Sequence, residues 1–300
     1  MDGVSACSSS RVILASLLGD MNITSSTSST ERRFEIAAGN TSVHVSRRGH
    51  GPPVVCLHAV GHGERDFVRL AERLGDRFEI IAFDWPGHGA SPPDHVPVTA
   101  AHYADVLASV VDGLGLESFT LLGNSIGGAA AIIYATAHPA RVTALVLCDP
   151  GGLQRVGVIG RAICRHMARF LGAGEHEERT FPRRFRRYYE RTVLPASEAA
   201  WRREEIIATA TAVSPRLREA WTSFGSPDAD IRHLPARLAC PVLYAWSKGD
   251  SYVAWRRSKR AATRAPRHRI ELFDGGHAAF LERPQQFDVA FVSFMTGVSR

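Results

Sequence analysis

The sequence predicts an α/β protein: a mostly parallel, doubly wound sheet of eight strands with helices on both faces. Three observations lead there. Runs such as Glu79-Ile-Ile-Ala-Phe-Asp84, Phe119-Thr-Leu-Leu-Gly-Asn124 and Val142-Thr-Ala-Leu-Val-Leu-Cys-Asp149 are almost continuously apolar. Strands buried on both faces read that way, because the sheet is then covered twice. Stretches of helical periodicity lie between them, and alternating β and α segments imply a parallel layer. The alternation stops at Asp149 and resumes at Cys240. An all-helical insertion is therefore expected at 151–235, dividing a core of 31–150 and 236–300.

The elements follow in order. Residues 1–30 hold a Ser/Thr cluster and a short apolar stretch at 12–18. That stretch has Asp2 before it and Asp20 after it, without the basic flank of an export signal, so a flexible tail is expected. Met21 offers an alternative start. Strands are expected at 34–38, 42–48, 54–58, 78–83, 119–123, 142–148, 242–246 and 268–273. Helices are expected at 64–74, 100–114, 126–137, 251–262 and 284–296. The insertion contributes an amphipathic stretch at 198–212.

Composition narrows the function classes. With 45% hydrophobic and 22% charged residues the chain is an ordinary globular protein, neither disordered nor fibrous. No apolar run approaches the ~20 residues a membrane-spanning helix needs. The net charge of +6 is local, because twelve arginines face five glutamates between Arg155 and Arg203. Such a segment suits an anionic membrane or an anionic substrate. Nucleic acid is disfavoured, since no helix-turn-helix, RRM, KH or zinc-finger pattern accompanies it. Five cysteines without a CxxC spacing support neither a disulfide framework nor a zinc site, and a cytoplasmic, reducing setting is expected.

Chemistry concentrates at three strand ends. Gly123-Asn-Ser125-Ile-Gly127-Gly128 follows an apolar strand and opens a helix. A serine on so sharp a turn is lifted clear of the sheet, beside unpaired helix-start N–H groups. A serine nucleophile needs a base, and the base needs an orienting carboxylate. Asp250 follows the strand at 242–246 and His277 follows the next one, so Ser125, Asp250 and His277 are the expected catalytic residues. Asp149, at the end of the sixth strand, is the alternative acid. The elements require no metal and no organic cofactor.

These marks, with His58-Ala-Val-Gly61 and Asp84-Trp-Pro-Gly-His-Gly89 plus Ser91, resemble the α/β-hydrolase superfamily over residues 33–297. The resemblance implies an α/β-hydrolase sheet, an inserted helical cap over the site, and an oxyanion hole made by the Val60 and Ile126 N–H groups. His58 and Asp84 are then expected to organise loops. Within the superfamily, Gly-Asn-Ser-Ile-Gly-Gly and Asp149-Pro-Gly-Gly152 are similar to meta-cleavage-product hydrolases, which break a carbon–carbon bond. That narrower likeness would make Asn124 and a cap arginine, Arg202 or Arg203, substrate-binding residues. Ala278 stands where those enzymes carry Trp after the catalytic His.

Three readings stay open: a hydrolase of small carboxylic esters or lactones, a C–C bond hydrolase, and a small-molecule receptor on the same fold. A peroxide-tolerant, haloperoxidase-like hydrolase would share the same three residues. The partner expected is a small molecule, anionic if the arginines reach it. Tyr188, Tyr189 and Trp201 are candidates for the pocket wall, and the arginines at 183–187 for a solvated face. The oligomeric state is not specified.

Overall fold

The computed structural model describes residues 31–298, so the expected tail and Cys7 lie outside the described residues. Eight strands form one sheet: β1 (Arg32–Ala38), β2 (Thr41–Arg48), β3 (Pro53–Leu57), β4 (Glu79–Phe83), β5 (Phe119–Asn124), β6 (Val142–Cys148), β7 (Val242–Ser247) and β8 (His268–Phe273). Their order is β1-β2-β4-β3-β5-β6-β7-β8. β2 pairs antiparallel with both β1 and β4, and every other ladder is parallel. The chain winds outward in both directions from β3. The carboxyl ends of β3 and β5 therefore flank the point where strand order reverses, which is where open α/β sheets bind ligands.

All six residues of β5 and of β7 are buried, as a sheet covered on both faces requires. One cover packs α1 (Val68–Leu74), the short α9 (Ala279–Glu282) and α10 (Pro284–Val298) together. Phe78 meets Phe291 edge-on, Phe67 stacks on Phe280, and Arg73 pairs with Asp288 at 2.5 Å. Another holds α2 (Ala100–Gly113), capped by Thr99 Oγ1 accepting the His102 N–H, and α3 (Ile126–Ala137). The chain between β6 and β7 is helical: α4 (Val158–Gly172), α5 (Phe181–Tyr188), α6 (Ala200–Ala208) and α7 (Ala210–Phe224). Its buried apolar residues, including Leu171, Phe181, Phe185, Val213 and Leu217, are continuous with the core of the sheet.

Two expected helices are corrected. The stretch read as one amphipathic helix at 198–212 is broken at Thr209, which caps α6 and begins α7. The helix expected from 251 starts only at α8 (Trp255–Ala262). Its first residues are held instead by the Asp250 carboxylate, whose Oδ1 accepts the Tyr252 and Val253 N–H groups, each at 2.8 Å. Local side-chain bonding of this kind competes with helix formation. Cys56, Cys148, Cys164 and Cys240 are free and buried. Among the described residues no helix is long and apolar enough to cross a membrane.

Candidate active site

At the end of β5 the backbone turns within one residue. Ser125 has φ 55° and ψ −117°, a conformation that L-residues with a Cβ rarely adopt. The flanking glycines make the turn possible. A Cβ on Gly123 would lie 2.6 Å from the Gly127 carbonyl oxygen, and one on Gly127 would lie 2.4 Å from that of Leu57. No side chain fits at either position. The turn is tied to the neighbouring strand, since Ser125 N–H donates to the Cys148 carbonyl at 3.0 Å.

Asp250 and His277 come together at the ends of β7 and β8. His277 Nδ1 lies 2.6 Å from Asp250 Oδ2, and the ring is 15% exposed whereas the carboxylate is 2% exposed. Since Asp250 accepts, Nδ1 carries the proton and Nε2 is left free toward the open side. Burial disfavours the imidazolium, but Asp250, with Asp149 and Glu282 behind it, outweighs burial and raises the His277 pKa to about 9. The Ser125 hydroxyl makes no hydrogen bond among the described residues. The imidazole–carboxylate link is thus closed, and the serine–imidazole link is open. Catalytic hydrogen bonds in ligand-free sites are often long and tighten with substrate.

Two further carboxyls surround this pair. Asp149, fully buried with φ 45°, accepts Ser247 N–H at 2.8 Å and meets Ser247 Oγ at 2.9 Å. Burial, reinforced by the Asp250 charge, pushes its carboxyl well above the usual range. Glu282, also fully buried, accepts the N–H groups of Gly276, His277 and Ala278 at 2.7, 3.0 and 3.3 Å through one oxygen. Its other oxygen takes the Ala196 N–H at 3.2 Å. Glu282 therefore shapes the loop that presents His277. Side-chain oxygens or nitrogens of Asp149, Asp250 and His277 lie within 4.8 Å of one another, close enough to ligate one metal ion. Asp149 already serves Ser247, and Asp250 serves the backbone at Tyr252 and Val253 together with His277 Nδ1.

The loop after β3 is held from beneath. His58 accepts the Trp85 N–H at Nε2 (3.0 Å) and donates from Nδ1 to the Ala59 carbonyl (2.7 Å). Burial keeps this ring neutral, its pKa well below the ordinary histidine value. His88 Nε2 accepts the Gly61 N–H at 3.0 Å, and Asp84 accepts the Glu64 and Ala90 N–H groups at 2.8 and 2.9 Å. His58 and Asp84 organise loops, as expected. Between these fixed points the Val60 N–H has no partner among the described residues, and the Ile126 N–H heads α3, where no intrahelical acceptor exists.

Ser125, Ile126, Asp250 and His277 all line one cavity of about 1090 Å3, roofed by residues of α4 and α7 together with Tyr188 and Val193. The sequence profile of the alpha/beta hydrolase family matches residues 54–289. The chain belongs to the alpha/beta hydrolase family. A pimeloyl-[acyl-carrier protein] methyl ester esterase of Xanthomonas campestris is 27% identical over 274 residues, covering 85% of this chain and 100% of that one. A putative carbamate hydrolase of a Caulobacter species is 27% identical over 260 residues, covering 83% and 94%. Among solved structures, a thermophilic esterase from Thermogutta terrifontis superposes with a TM-score of 0.74 at 22% identity, covering 89% and 99% of the two chains. The enol-lactonase from Burkholderia xenovorans superposes with 0.69 at 20% identity, covering 88% and 100%. At those identities the structural likeness concerns the fold.

Several residues expected to bind substrate in this hydrolase stand elsewhere. Asn124 is buried beneath the site, its Nδ2 donating to the carbonyls of Cys148 (3.0 Å) and His277 (2.9 Å), so it braces the histidine loop. Arg202 is buried and bonded to Asp66 at 2.6 Å and Glu205 at 3.0 Å, away from the cavity wall. Arg203 donates to the Leu194 carbonyl at 2.6 Å. Val60 contributes no surface to the cavity, although its N–H stays unpaired. Of the three aromatic candidates only Tyr188 lines the wall. Tyr189 packs on Phe185, and Trp201 lies beneath the Arg69 guanidinium, 4.2 Å from its ring centre. Sequence patterns gave no sign of Tyr252, Trp221, Val158 and Ile163, which do line it, nor of Glu282.

Proposed function

We propose that this chain is a serine hydrolase that cleaves carboxylic esters or lactones through an acyl-enzyme. The observation that carries the reading is the Asp250–His277 pair, bonded at 2.6 Å in the same cavity wall as a serine on a left-handed turn. In this reading His277 Nε2 takes the Ser125 proton as the hydroxyl attacks the carbonyl carbon, and Asp250 steadies the imidazolium. The Val60 and Ile126 N–H groups hold the tetrahedral oxyanion, each worth about 3 kcal/mol of barrier. His277 then protonates the leaving alcohol, and a water molecule, activated by the same ring, releases the acid. Residues 151–235 act as a cap on a core of 31–150 and 236–300, and the reaction takes place in the cytoplasm. The methyl ester esterase and the enol-lactonase among the similar proteins support ester or lactone as the scissile bond. Neither Arg202 nor Arg203 lines the cavity, which weighs against the C–C reading and its substrate-binding cap arginine.

The test sets p-nitrophenyl esters and lactones against a ring-fission dienoate, with wild type, Ser125→Ala and a fluorophosphonate probe. Ester or lactone turnover that disappears with Ser125→Ala, together with labelling at Ser125, is expected. Turnover of the dienoate alone would reverse the choice of bond, and an unlabelled serine would indicate a receptor.

A pH dependence follows from the His277 environment. A general base must be neutral, and Asp250 keeps this ring protonated until the pH approaches about 9. We therefore expect kcat/KM for a neutral ester to climb tenfold per pH unit below that value and to level off above it. A rate already flat at pH 7 would show that the ring loses its proton earlier.

A further inference from the structure

The outward face of α4 is unlike any other surface beside the cavity. Its inward residues Cys164, Met167, Ala168 and Leu171 are buried, so the helix has satisfied its packing requirement. Yet Val158, Ile159 and Ile163 are 73%, 78% and 46% exposed at its first two turns. Arg161, Arg165 and Arg169 follow at intervals of four, which sets them in one stripe along the helix. They are exposed and, like Arg155 just ahead of the helix, form no ion pair among the described residues. No Asp or Glu occurs from 150 to 174. The apolar tip is also the cavity rim: Arg155, Val158, Ile159 and Ile163 all line the space that contains Ser125.

A helix with apolar side chains at one end and unpaired arginines along its outer stripe suits an interface of water, phosphate and hydrocarbon. A second copy of the chain suits it poorly, because a two-fold contact would set arginine against arginine. The valine and isoleucine project from a convex helix end. A protein partner would have to supply a matching groove, whereas a bilayer yields to them.

We propose that α4 seats this hydrolase on an anionic lipid surface, with Val158 and Ile159 entering the headgroup boundary and the arginines meeting the phosphates. The substrate is then an ester with an apolar acyl chain that passes from the bilayer directly into the cavity. This substrate class rests on the ester-hydrolase reading, but the docking does not.

The experiment uses the full chain carrying Ser125→Ala, so that binding is read without turnover. It is sedimented with vesicles of phosphatidylcholine alone and of phosphatidylcholine with about 30% phosphatidylglycerol, at low and physiological salt. Partition onto the anionic vesicles at least about tenfold above the neutral ones is expected. The combined variant R161Q/R165Q/R169Q should lower that partition by about fiftyfold or more while turnover of a soluble short-chain ester in the otherwise wild-type chain is unchanged. Val158→Ser with Ile159→Ser should weaken the binding that survives high salt. Equal or absent binding to both vesicle types overturns the proposal, as does full binding by the arginine variant. Arginine-dependent capture of an acidic protein without vesicle binding also overturns it, in favour of a protein partner. Loss of ester turnover in wild type with vesicle binding intact would instead remove only the hydrolase reading.

Discussion

Asp250→Asn is expected to lower kcat by about 10^4-fold, and Asp149→Asn by no more than about tenfold. The two carboxyls lie at adjacent strand ends, and both are within reach of the imidazole. Only Asp250 holds it: the 2.6 Å contact to Nδ1 fixes the tautomer whose Nε2 can accept the serine proton. An amide at that position allows the ring to present the wrong nitrogen, which is why orienting carboxylates of such triads are so sensitive. Asp149 is different. Burial and the neighbouring Asp250 charge disfavour its ionised form, and its oxygens serve Ser247. An amide of the same shape keeps the acceptor for the Ser247 N–H and removes little charge. Steady-state kinetics on a p-nitrophenyl ester with both variants decides the matter, and the opposite ranking would transfer the acid role to Asp149.

Arg202→Ala is expected to cost about 3–5 kcal/mol of folding stability while leaving the preference between acidic and neutral esters unchanged. The guanidinium is 7% exposed and its partner Asp66 is fully buried, so removing the arginine leaves the buried carboxylate with the His62 ring as its only side-chain partner among the described residues. Burial alone would raise the Asp66 carboxyl, but His62 and Arg202 outweigh it and hold it below the ordinary carboxylate range. Replacing both charges together, with Asp66→Leu and Arg202→Met, should recover most of the loss, because no unpaired ion then remains. Urea unfolding measures the cost, and the ratio of kcat/KM values for an acid and its methyl ester measures the preference. A shifted ratio with unchanged stability would place Arg202 in the substrate site.

The contrast between these residues explains what could be read from the chain. Ser125, Asp250 and His277 could be picked out because each stands on the turn or loop that follows a strand, and parallel topology carries all such ends to one edge. Composition placed the central strands for a related reason: burial on both faces leaves near-continuous apolar runs, as in β5 and β7. Arg202 could not be read. Its partner Asp66 is 136 residues away, and no local pattern distinguishes a buried, paired arginine from one that awaits a substrate. Asn124 misled similarly, since an amide beside a nucleophile serves backbone or ligand with equal chemistry. Glu282 lies on a short helix five residues past His277, and only the folded loop reveals four backbone donors converging on it. The helix expected from 251 began late because Asp250 holds both the imidazole and the backbone of the loop after it.

The Glu282 carboxylate joins two parts that would otherwise move separately. One oxygen grips the histidine loop, while the other clasps Ala196 in the helical segment. Lifting the roof at that corner would pull directly on the loop that carries His277 and shift its ring relative to Ser125.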